Sequence, residues 1–461
     1  MEHYIFYCKL SLLAVLSLIT ACCMLSRRWY VNLAAFLACL SGETFLAHLF
    51  FPGYMLCPAA ASFIILFLSR IWDLSRTPAK GNGADPIRLP VRSGIRESRL
   101  EFHYHYSNFL VYGGAGSGKT KSIGKWLLSE YMRLGFAGFI YDFKDTDYTR
   151  TAYNLIKRHR YPHKFYYVSF DRPERSYRFN PLKVVRDRTE LIQLMEDVLL
   201  ALLPKKEQQN EWVAGGLGIL RGVAFRFWDE FPEHCTLPHI LAFIMTASAR
   251  QLSLFLQQNL VSEMLAGAYL KAEGSEKTQA SYLSTLCNNL ATISQNEEIA
   301  YVLSGDDFDF NLIDPENPKL FAVSNNFSKN SVYAPVISML MTISARQFSM
   351  QNRVPFVYFL DEMTTVNIKN FETLPSVLRE YKAAFILLTQ SGAKLENLYG
   401  KLDRSSVEAN FGNMFLGRTK DVEALKYYPL FFGKEEKERR SRSSGKSGAS
   451  SSSSVTVSSQ K

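Results

Sequence analysis

A glycine-rich stretch in the first third of the chain has the spacing of a phosphate-binding loop. Gly113, Gly118, Lys119 and Thr120 fit the pattern G-x-x-x-x-G-K-[ST], between an apolar run and an amphipathic one. The glycines let backbone N–H groups face a phosphate chain, and the following helix adds its positive dipole end. We expect Lys119 to hold the β and γ phosphates of ATP and Thr120 to ligate Mg²⁺; a glycine-rich turn without a ligand is the alternative. The predicted cradle comprises Gly113, Gly114, Ala115, Gly116, Ser117, Gly118, Lys119, Thr120 and Lys121.

A pair of acidic residues much further along the chain could complete this site. The segment VPFVYFLDEMTT has an apolar run over residues 354–360 that ends in Asp361 and Glu362. A hydrolytic P-loop site needs a carboxylate at the end of another buried strand. We predict that Asp361 positions Mg²⁺ and that Glu362 polarises the water that attacks the γ-phosphate. The alternative is a strand followed by an exposed acidic turn.

Polar and basic residues near the next strand-like run are further candidates. AAFILLTQ ends in Gln390, whose side chain could sense whether a γ-phosphate is present. P-loop ATPases that act as motors usually complete their nucleotide sites with an arginine from the neighbouring subunit. Arg379, Arg404 and Arg418 are the candidates for that role. The residues alone do not choose among them, since each could equally be a solvated surface arginine.

Strand and helix patterns alternate around these motifs, as in an α/β fold. The stretches AGFIYDF, FYYVSF and KLFAVSN are predicted to be strands. Between the second and the third, apolar residues in LIQLMEDVLLALL recur at helical spacing. We predict a P-loop NTPase core with a mostly parallel sheet, formed by residues 76–185 and 306–433. An all-α domain inserted over residues 186–305 is predicted to divide it.

The two ends of the chain differ from this core. Residues 1–75 carry long apolar runs with few charges, which predicts a membrane anchor of two or three transmembrane helices. A cleaved signal peptide is the alternative, because LITAC resembles a lipoprotein cleavage site. Residues 434–461 are charged and then Ser-rich, which predicts a disordered tail, although SVTVSS has the alternation of a strand.

The overall composition sets only broad limits. Seven cysteines without a metal-ligand spacing are typical of a reducing compartment. The 53 Lys and Arg residues outnumber the 43 Asp and Glu residues, which suits a polyanionic partner or an anionic membrane face but specifies neither.

In their order and spacing these motifs resemble the type IV coupling proteins of bacterial conjugation and type IV secretion, of the TraG/TraD type. The resemblance extends to YDFKDTDYTRTA, which matches the family's Asp-x-Lys element, and to YRFNPL, which matches its Asn-Pro-Leu element. It continues through LTQS, LENLYG and NFGNMFLGRTKDVEALKYY, and covers residues 1–435. The resemblance implies that Asp142 and Lys144 lie near the nucleotide and that Arg379 is the better arginine-finger candidate.

The same resemblance implies a function. The resemblance implies a RecA-like motor that assembles as a homohexamer. Several spans would anchor it in the cell inner membrane, with the motor domain in the cytoplasm. The motor would receive single-stranded DNA with its bound relaxase and pass it to the type IV secretion channel, driven by ATP. Two alternatives stay open: a DNA-translocating motor of the FtsK/HerA type, and a nucleotide-gated docking platform for secreted protein substrates.

Overall fold

The computed structural model describes most of the chain that follows the predicted membrane anchor. The described residues are 85–93, 96–144, 146–203, 207–429, 437–447 and 450–460. The predicted anchor, residues 1–75, lies outside them. Within the described ranges, no helix combines the length and the apolar character that a bilayer crossing requires.

An antiparallel hairpin begins the described part of the chain and packs on the first helix. The elements concerned are β1 (Ile87–Ser93), β2 (Arg96–Phe102) and α1 (Lys125–Arg133). Apolar residues alternate along β1, so that Ile87 and Leu89 are buried. The backbone N–H of Arg88 donates a hydrogen bond of 2.8 Å to the Glu130 carboxylate on α1. This bond ties the hairpin to the helix that follows the glycine-rich loop.

Seven strands form the central sheet, and every neighbouring pair is parallel. They are β3 (Phe109–Tyr112), β4 (Ala137–Asp142), β5 (Lys164–Ser169), β6 (Lys319–Ser324), β7 (Phe356–Asp361), β8 (Ala383–Thr389) and β9 (Asn413–Leu416). Their order across the sheet is β5-β6-β4-β7-β8-β3-β9. Parallel strands covered on both faces carry continuous apolar runs, and β4, β7 and β8 are buried along their whole length. The predicted α/β fold with a mostly parallel sheet is confirmed.

Helices cover both faces of this sheet and fill the long connection between β5 and β6. After α1 they are α2 (Asp147–His159), α3 (Arg188–Ala201), α4 (Glu211–Glu230), α5 (Leu237–Thr246), α6 (Ala249–Gln257), α7 (Leu260–Leu265), α8 (Gly267–Lys271), α9 (Glu276–Ser294), α10 (Glu297–Leu303), α11 (Asn330–Arg346), α12 (Leu374–Glu380), α13 (Gly392–Tyr399), α14 (Lys401–Ala409) and α15 (Val422–Tyr427). Side chains of successive strand residues point to opposite faces, so the sheet has two cores. Phe139 and Tyr358 pack in the core that includes α11 and the helices between β5 and β6. Ile140 and Phe359 pack in the other, with α1 and α2.

The helices α3 to α10 lie in the connection between β5 and β6, and we call this segment the helical excursion. The strands before and after it, β5 and β6, pair directly with each other. The Asp197 carboxylate on α3 accepts hydrogen bonds from Arg346 on α11 at 2.8 Å and from Lys369 at 2.9 Å. Lys369 belongs to the segment that follows β7. These ion pairs therefore fasten the helical excursion to the core and to the segment behind the acidic motif.

The end of the chain contains a separate pair of strands. The strand β10 (Lys437–Ser447) pairs antiparallel with β11 (Ser450–Gln460). This pairing differs from the expectation of a disordered tail. Backbone hydrogen bonds between strands need no apolar core, and the alternating Ser, Thr and Val residues suit extended backbone. A two-stranded ribbon of this kind is marginally stable by itself in water.

Close packing at Gly138 of β4 gives a prediction about stability. A Cβ atom there would lie 2.9 Å from the carbonyl oxygen of Val357 in the neighbouring strand β7. Because that obstacle is backbone, we expect Gly138→Ala to lower the free energy of unfolding by about 1–3 kcal/mol. The matched control is Gly267→Ala, whose added Cβ meets no atom within 4 Å. Thermal unfolding midpoints that are equal for the two variants would contradict the packing described here.

Candidate nucleotide-binding site

Four strands of the central sheet bring the predicted motifs to one edge. The glycine-rich loop follows β3, and Asp361 ends β7. Gln390 follows β8, and Asp142 ends β4. The strand β8 lies between β3 and β7, and the Gly113 N–H donates a 3.3 Å hydrogen bond to the carbonyl of Thr389 in β8. In open parallel sheets, ligands bind at this carboxyl edge.

The glycine-rich loop has a backbone that requires its glycines. Gly118 has a φ of 87°, which residues with a Cβ rarely adopt. The chain then makes a π-helical turn, Lys119–Gly124, that continues into α1. A Cβ on Gly113 would lie 2.4 Å from the Ser117 hydroxyl oxygen. Lys119 is only 8% exposed, and its Nζ donates a hydrogen bond to the Gly113 carbonyl.

The other residues of the predicted cradle lie closer to solvent. Ala115, Gly116 and Lys121 are exposed, whereas Gly114 and Thr120 are half-buried. The loop therefore presents an accessible tip beside a buried lysine, a geometry in which backbone N–H groups and the ammonium can face one anionic ligand.

Charged groups from three strand ends interact around Lys119. Burial lowers the pKa of Lys119, and the carboxylates of Glu362 and Asp361 oppose this effect. The ammonium groups of Lys144 and Lys394 lower the pKa of Lys119 further. The structure thus brings together the lysine of the loop and the acidic pair after β7, which are far apart in the sequence.

Asp361 is a buried carboxylic acid whose ionised form is poorly compensated. It is 1% exposed, and its Oδ2 accepts no hydrogen bond. Burial raises the pKa of Asp361 to about 7; Lys144 and Lys119 oppose the rise, while Asp142 and Glu362 add to it. A buried, unpartnered carboxylate oxygen beside a lysine that can hold phosphate fits the position of a divalent cation.

Glu362 is held in a specific orientation. Its backbone has a φ of 48°, in the left-handed region, and its carbonyl accepts a 2.7 Å hydrogen bond from the Thr365 hydroxyl. The Lys394 ammonium lies 3.3 Å from Oε1 of Glu362, whose side chain is 2% exposed, and Oε2 has no hydrogen-bond partner. Lys394 was not among the residues predicted from the sequence.

Asp142 and Lys144 lie at the same edge but differ in what they contact. Asp142 is completely buried, and its Oδ2 accepts hydrogen bonds from the backbone N–H and the hydroxyl of Thr149, at 2.8 and 3.0 Å. Burial raises the pKa of Asp142, and the bonds from Thr149 oppose the rise. Asp142 thus fixes the start of α2, while the exposed Lys144 contributes positive charge to the site.

A hydrogen-bonded network that the sequence motifs did not indicate joins β4, β6 and the segment after β7. Asn325, directly after β6, donates to the Tyr141 hydroxyl at 2.8 Å and to the Asn330 side chain at 2.7 Å. The Tyr141 and Thr365 hydroxyls lie 2.6 Å apart. The only sequence signal for this network is an Asn that follows the apolar run KLFAVS, and such residues are common in loops.

The three candidate arginines occupy different positions. Arg379 is exposed at the end of α12, just before β8 begins, so it lies at the opposite edge from the glycine-rich loop. The seven residues of β8 span roughly 20 Å, beyond the reach of an arginine side chain. Arg418 is exposed, and its carbonyl accepts a 3.1 Å hydrogen bond from the N–H of Gly114.

Arg404 already forms ion pairs within its own chain. Its side chain is 19% exposed and makes ion pairs with Glu396 at 2.8 Å and with Glu408 at 3.1 Å. An arginine with two carboxylate partners is not free to enter a neighbouring subunit's site, so this candidate is disfavoured.

The protein supplies few potential metal ligands here. Among the described residues, no group of three or more His, Cys, Asp and Glu side chains is placed to hold an ion. One carboxylate from Asp361 and the hydroxyl of Thr120 fit Mg²⁺, which keeps waters and substrate phosphates as its other ligands.

Comparisons with known proteins bear on the family and the fold of the chain. The family model for the type IV secretion-system coupling protein DNA-binding domain matches residues 100–461, well over half of the chain. A search of curated proteins found no match. The unbound bacterial conjugative coupling protein TrwB has a TM-score of 0.58 at 15% identity, over 84% of this chain and 83% of that chain.

Two further solved structures of TrwB carry nucleotides. The complex with ADP and Mg²⁺ has a TM-score of 0.54 at 16% identity, over 72% of this chain and 80% of the chain in that structure. The complex with the non-hydrolysable ATP analogue ADPNP has a TM-score of 0.54 at 17% identity, over 73% and 80%. At these identities the likeness shows the fold. With the family match over residues 100–461, the chain belongs to the type IV secretion-system coupling proteins.

Proposed function

We propose that this chain is the ATP-hydrolysing coupling protein of a type IV secretion system. It receives single-stranded DNA with its bound relaxase and drives the DNA into the secretion channel during conjugation. The observation that carries this proposal is the convergence of Lys119, Asp361 and Glu362 at one edge of the sheet. A hydrolytic P-loop site needs these three side chains around one nucleotide.

ATP with Mg²⁺ is the ligand that this arrangement fits. The glycine-rich loop and Lys119 bind the phosphates, and Thr120 with Asp361 holds the ion. The TrwB structures with ADP and Mg²⁺ and with ADPNP support ATP and Mg²⁺ as the ligands. When bound, Mg²⁺ neutralises phosphate charge and polarises the γ-phosphoryl group.

Glu362 is the general base of the proposed reaction. Its unpartnered Oε2 accepts a proton from a water molecule while the water oxygen forms a bond to the γ-phosphorus. The bond from that phosphorus to the bridging oxygen breaks, and its electron pair leaves with ADP. The products are ADP and inorganic phosphate. Gln390, which follows β8, senses through its side chain whether the γ-phosphate is still present.

We assign the remaining steps to an assembly of subunits. Arg379 lies too far from the loop of its own chain, which supports a role as the arginine finger of the neighbouring site in a homohexameric ring. The predicted spans in residues 1–75 anchor the ring in the cell inner membrane with its motor in the cytoplasm. The basic excess of the chain suits sequence-independent contact with DNA phosphates.

A motor and a docking platform differ in what they require of the general base. A DNA motor of the FtsK/HerA type would share the loop and Glu362, but the family match favours coupling to secretion. A nucleotide-gated platform that recruits secreted proteins would need ATP binding without turnover. Hydrolysis and its response to DNA therefore distinguish the two classes.

The purified chain should hydrolyse ATP, and single-stranded DNA should increase the rate. We expect Lys119→Ala to weaken nucleotide binding and to abolish hydrolysis, because the phosphates lose their only buried ammonium in the loop. Phosphate release and fluorescent-nucleotide binding measure the two effects. Lys277→Ala on the exposed face of α9 is the control, with unchanged activity. Nucleotide binding without ATP turnover, whether or not single-stranded DNA is present, would favour the platform over the motor.

Glu362→Gln should separate binding from hydrolysis. Loss of the general base is expected to lower kcat by about 100-fold or more while the nucleotide affinity changes little. The amide keeps the size of the side chain, so the fold is preserved. A variant that retains full turnover, or a variant that loses nucleotide binding, would remove Glu362 from its proposed role.

The raised pKa of Asp361 predicts a pH-dependent metal requirement. Below pH about 7 a proton competes with Mg²⁺ for this carboxylate, so Mg²⁺-dependent affinity for ADP should fall as the pH drops from 8 to 6. Titration calorimetry with Mg²⁺ and in EDTA measures the metal-dependent part. Asp361→Asn should bind more weakly at pH 8 and vary less with pH, because this carboxylate no longer titrates. Equal pH dependence in both proteins would contradict the assignment.

A further inference from the structure

A lysine outside the recognised motifs contacts the buried glutamate of the nucleotide site. Lys394 lies in the first turn of α13, which begins two residues after Gln390. Its ammonium is 3.3 Å from Oε1 of Glu362, and its side chain is 43% exposed whereas that of Glu362 is 2% exposed. The pair therefore joins a buried carboxylate to a cation at the surface of the site.

The two oxygens of the Glu362 carboxylate have different surroundings. Oε1 faces the Lys394 ammonium, while Oε2 is buried without a hydrogen-bond partner. A buried carboxylate oxygen without a partner is energetically costly, so such atoms are usually found where a ligand or water completes them. Fixing Oε1 leaves Oε2 as the oxygen that can accept a proton.

The backbone around Glu362 limits how the side chain can turn. Its φ of 48° places it in the left-handed region, and the hydroxyl and the N–H of Thr365 both donate to its carbonyl. Because the backbone is fixed at this point, the remaining freedom is mainly in the side-chain torsions. Lys394 is the group placed to restrict them.

The helix that carries Lys394 is linked through side chains to α14 and to the end of β3, the strand before the glycine-rich loop. Gly392 packs so closely on Arg404 that an added Cβ would lie 2.3 Å from its guanidinium. Arg404 pairs with Glu396 on α13 and with Glu408 on α14. Glu408 accepts a 2.6 Å hydrogen bond from the hydroxyl of Tyr112, the last residue of β3. The half-buried Arg404 and the buried Glu408 thus link α13, through α14, to the strand that precedes the loop.

We propose that Lys394 is a positioning residue, which orients the Glu362 carboxylate so that Oε2 faces the attacking water. This inference rests on the proposed function, because it concerns the same hydrolysis. Lys394 acts through Glu362 and not on the phosphates. Its removal should therefore lower the rate of the chemical step and leave nucleotide binding intact.

Lys394→Met removes the charge and keeps most of the apolar stem. We expect kcat for ATP to fall by about 10- to 100-fold, because a misplaced catalytic group costs rate on this scale, with KM changed by less than about threefold. Lys394→Arg retains a cation and should recover most of the lost rate. Lys277→Met, which removes an exposed charge from α9, is the matched control with unchanged kcat.

Four results would overturn the proposal. A Lys394→Met variant that loses nucleotide affinity as Lys119→Ala does would make Lys394 a phosphate ligand. A variant that hydrolyses ATP faster than the unaltered chain would show that Lys394 inhibits Glu362. Unchanged kcat, or a loss that Lys394→Arg does not recover, would leave the residue without a positioning role.

A second measurement is independent of ATP turnover. The thermal unfolding midpoint should fall on Lys394→Met in the unaltered chain and should change little in the Glu362→Gln background, because the ion pair is then already lost. Equal shifts in both backgrounds would show that the pair does not form, and the proposal would fail. If the pair forms but the unaltered chain hydrolyses no ATP, the proposed function fails and the positioning role fails with it.

Discussion

The structure depends on holding one lysine and two carboxylates together in a buried site at the edge of a parallel sheet. Opposite charges a few ångströms apart attract by several kcal/mol at the effective dielectric constant of protein sites, but each loses hydration when it is buried. Here the attraction between the charges does not fully offset the lost hydration, because burial lowers the pKa of Lys119 and raises that of Asp361 to about 7. Bound Mg²⁺ and a polyphosphate would supply opposite charges that stabilise the ionised forms of both groups.

The fold provides this arrangement through strand order. Because β8 separates β3 from β7, the loop lysine and the acidic pair face each other across the end of β8. Arg379 lies before β8 begins, at the opposite edge from the loop, and this position is consistent with its proposed role at a neighbouring subunit's site. The Asp197 ion pairs join the helical excursion to α11 and to the segment that follows Glu362 in the chain.

The sequence predicted the parts of this design that are local or periodic. Buried parallel strands read as continuous apolar runs, so β4 to β8 could be recognised, and the glycine spacing of the loop follows from its backbone requirements. The contacts of Arg404 and Lys394 could not be predicted, because they depend on how α13 and α14 pack, and nothing in the local sequence distinguishes these residues from solvated ones. The role of Asp142 was likewise hidden, since an acidic residue after a strand can cap a helix or face a ligand.

The most direct test of the central claim is a structure of the chain bound to ADPNP and Mg²⁺. Our account predicts one triphosphate lying in the loop of residues 113–120, with Lys119 on its β and γ phosphates and the ion within about 2.1 Å of the Thr120 hydroxyl oxygen. Asp361 should lie beside the ion, and Oε2 of Glu362 should face a water near the γ-phosphorus. A nucleotide bound elsewhere, or bound in the loop with both carboxylates turned away, would contradict the account.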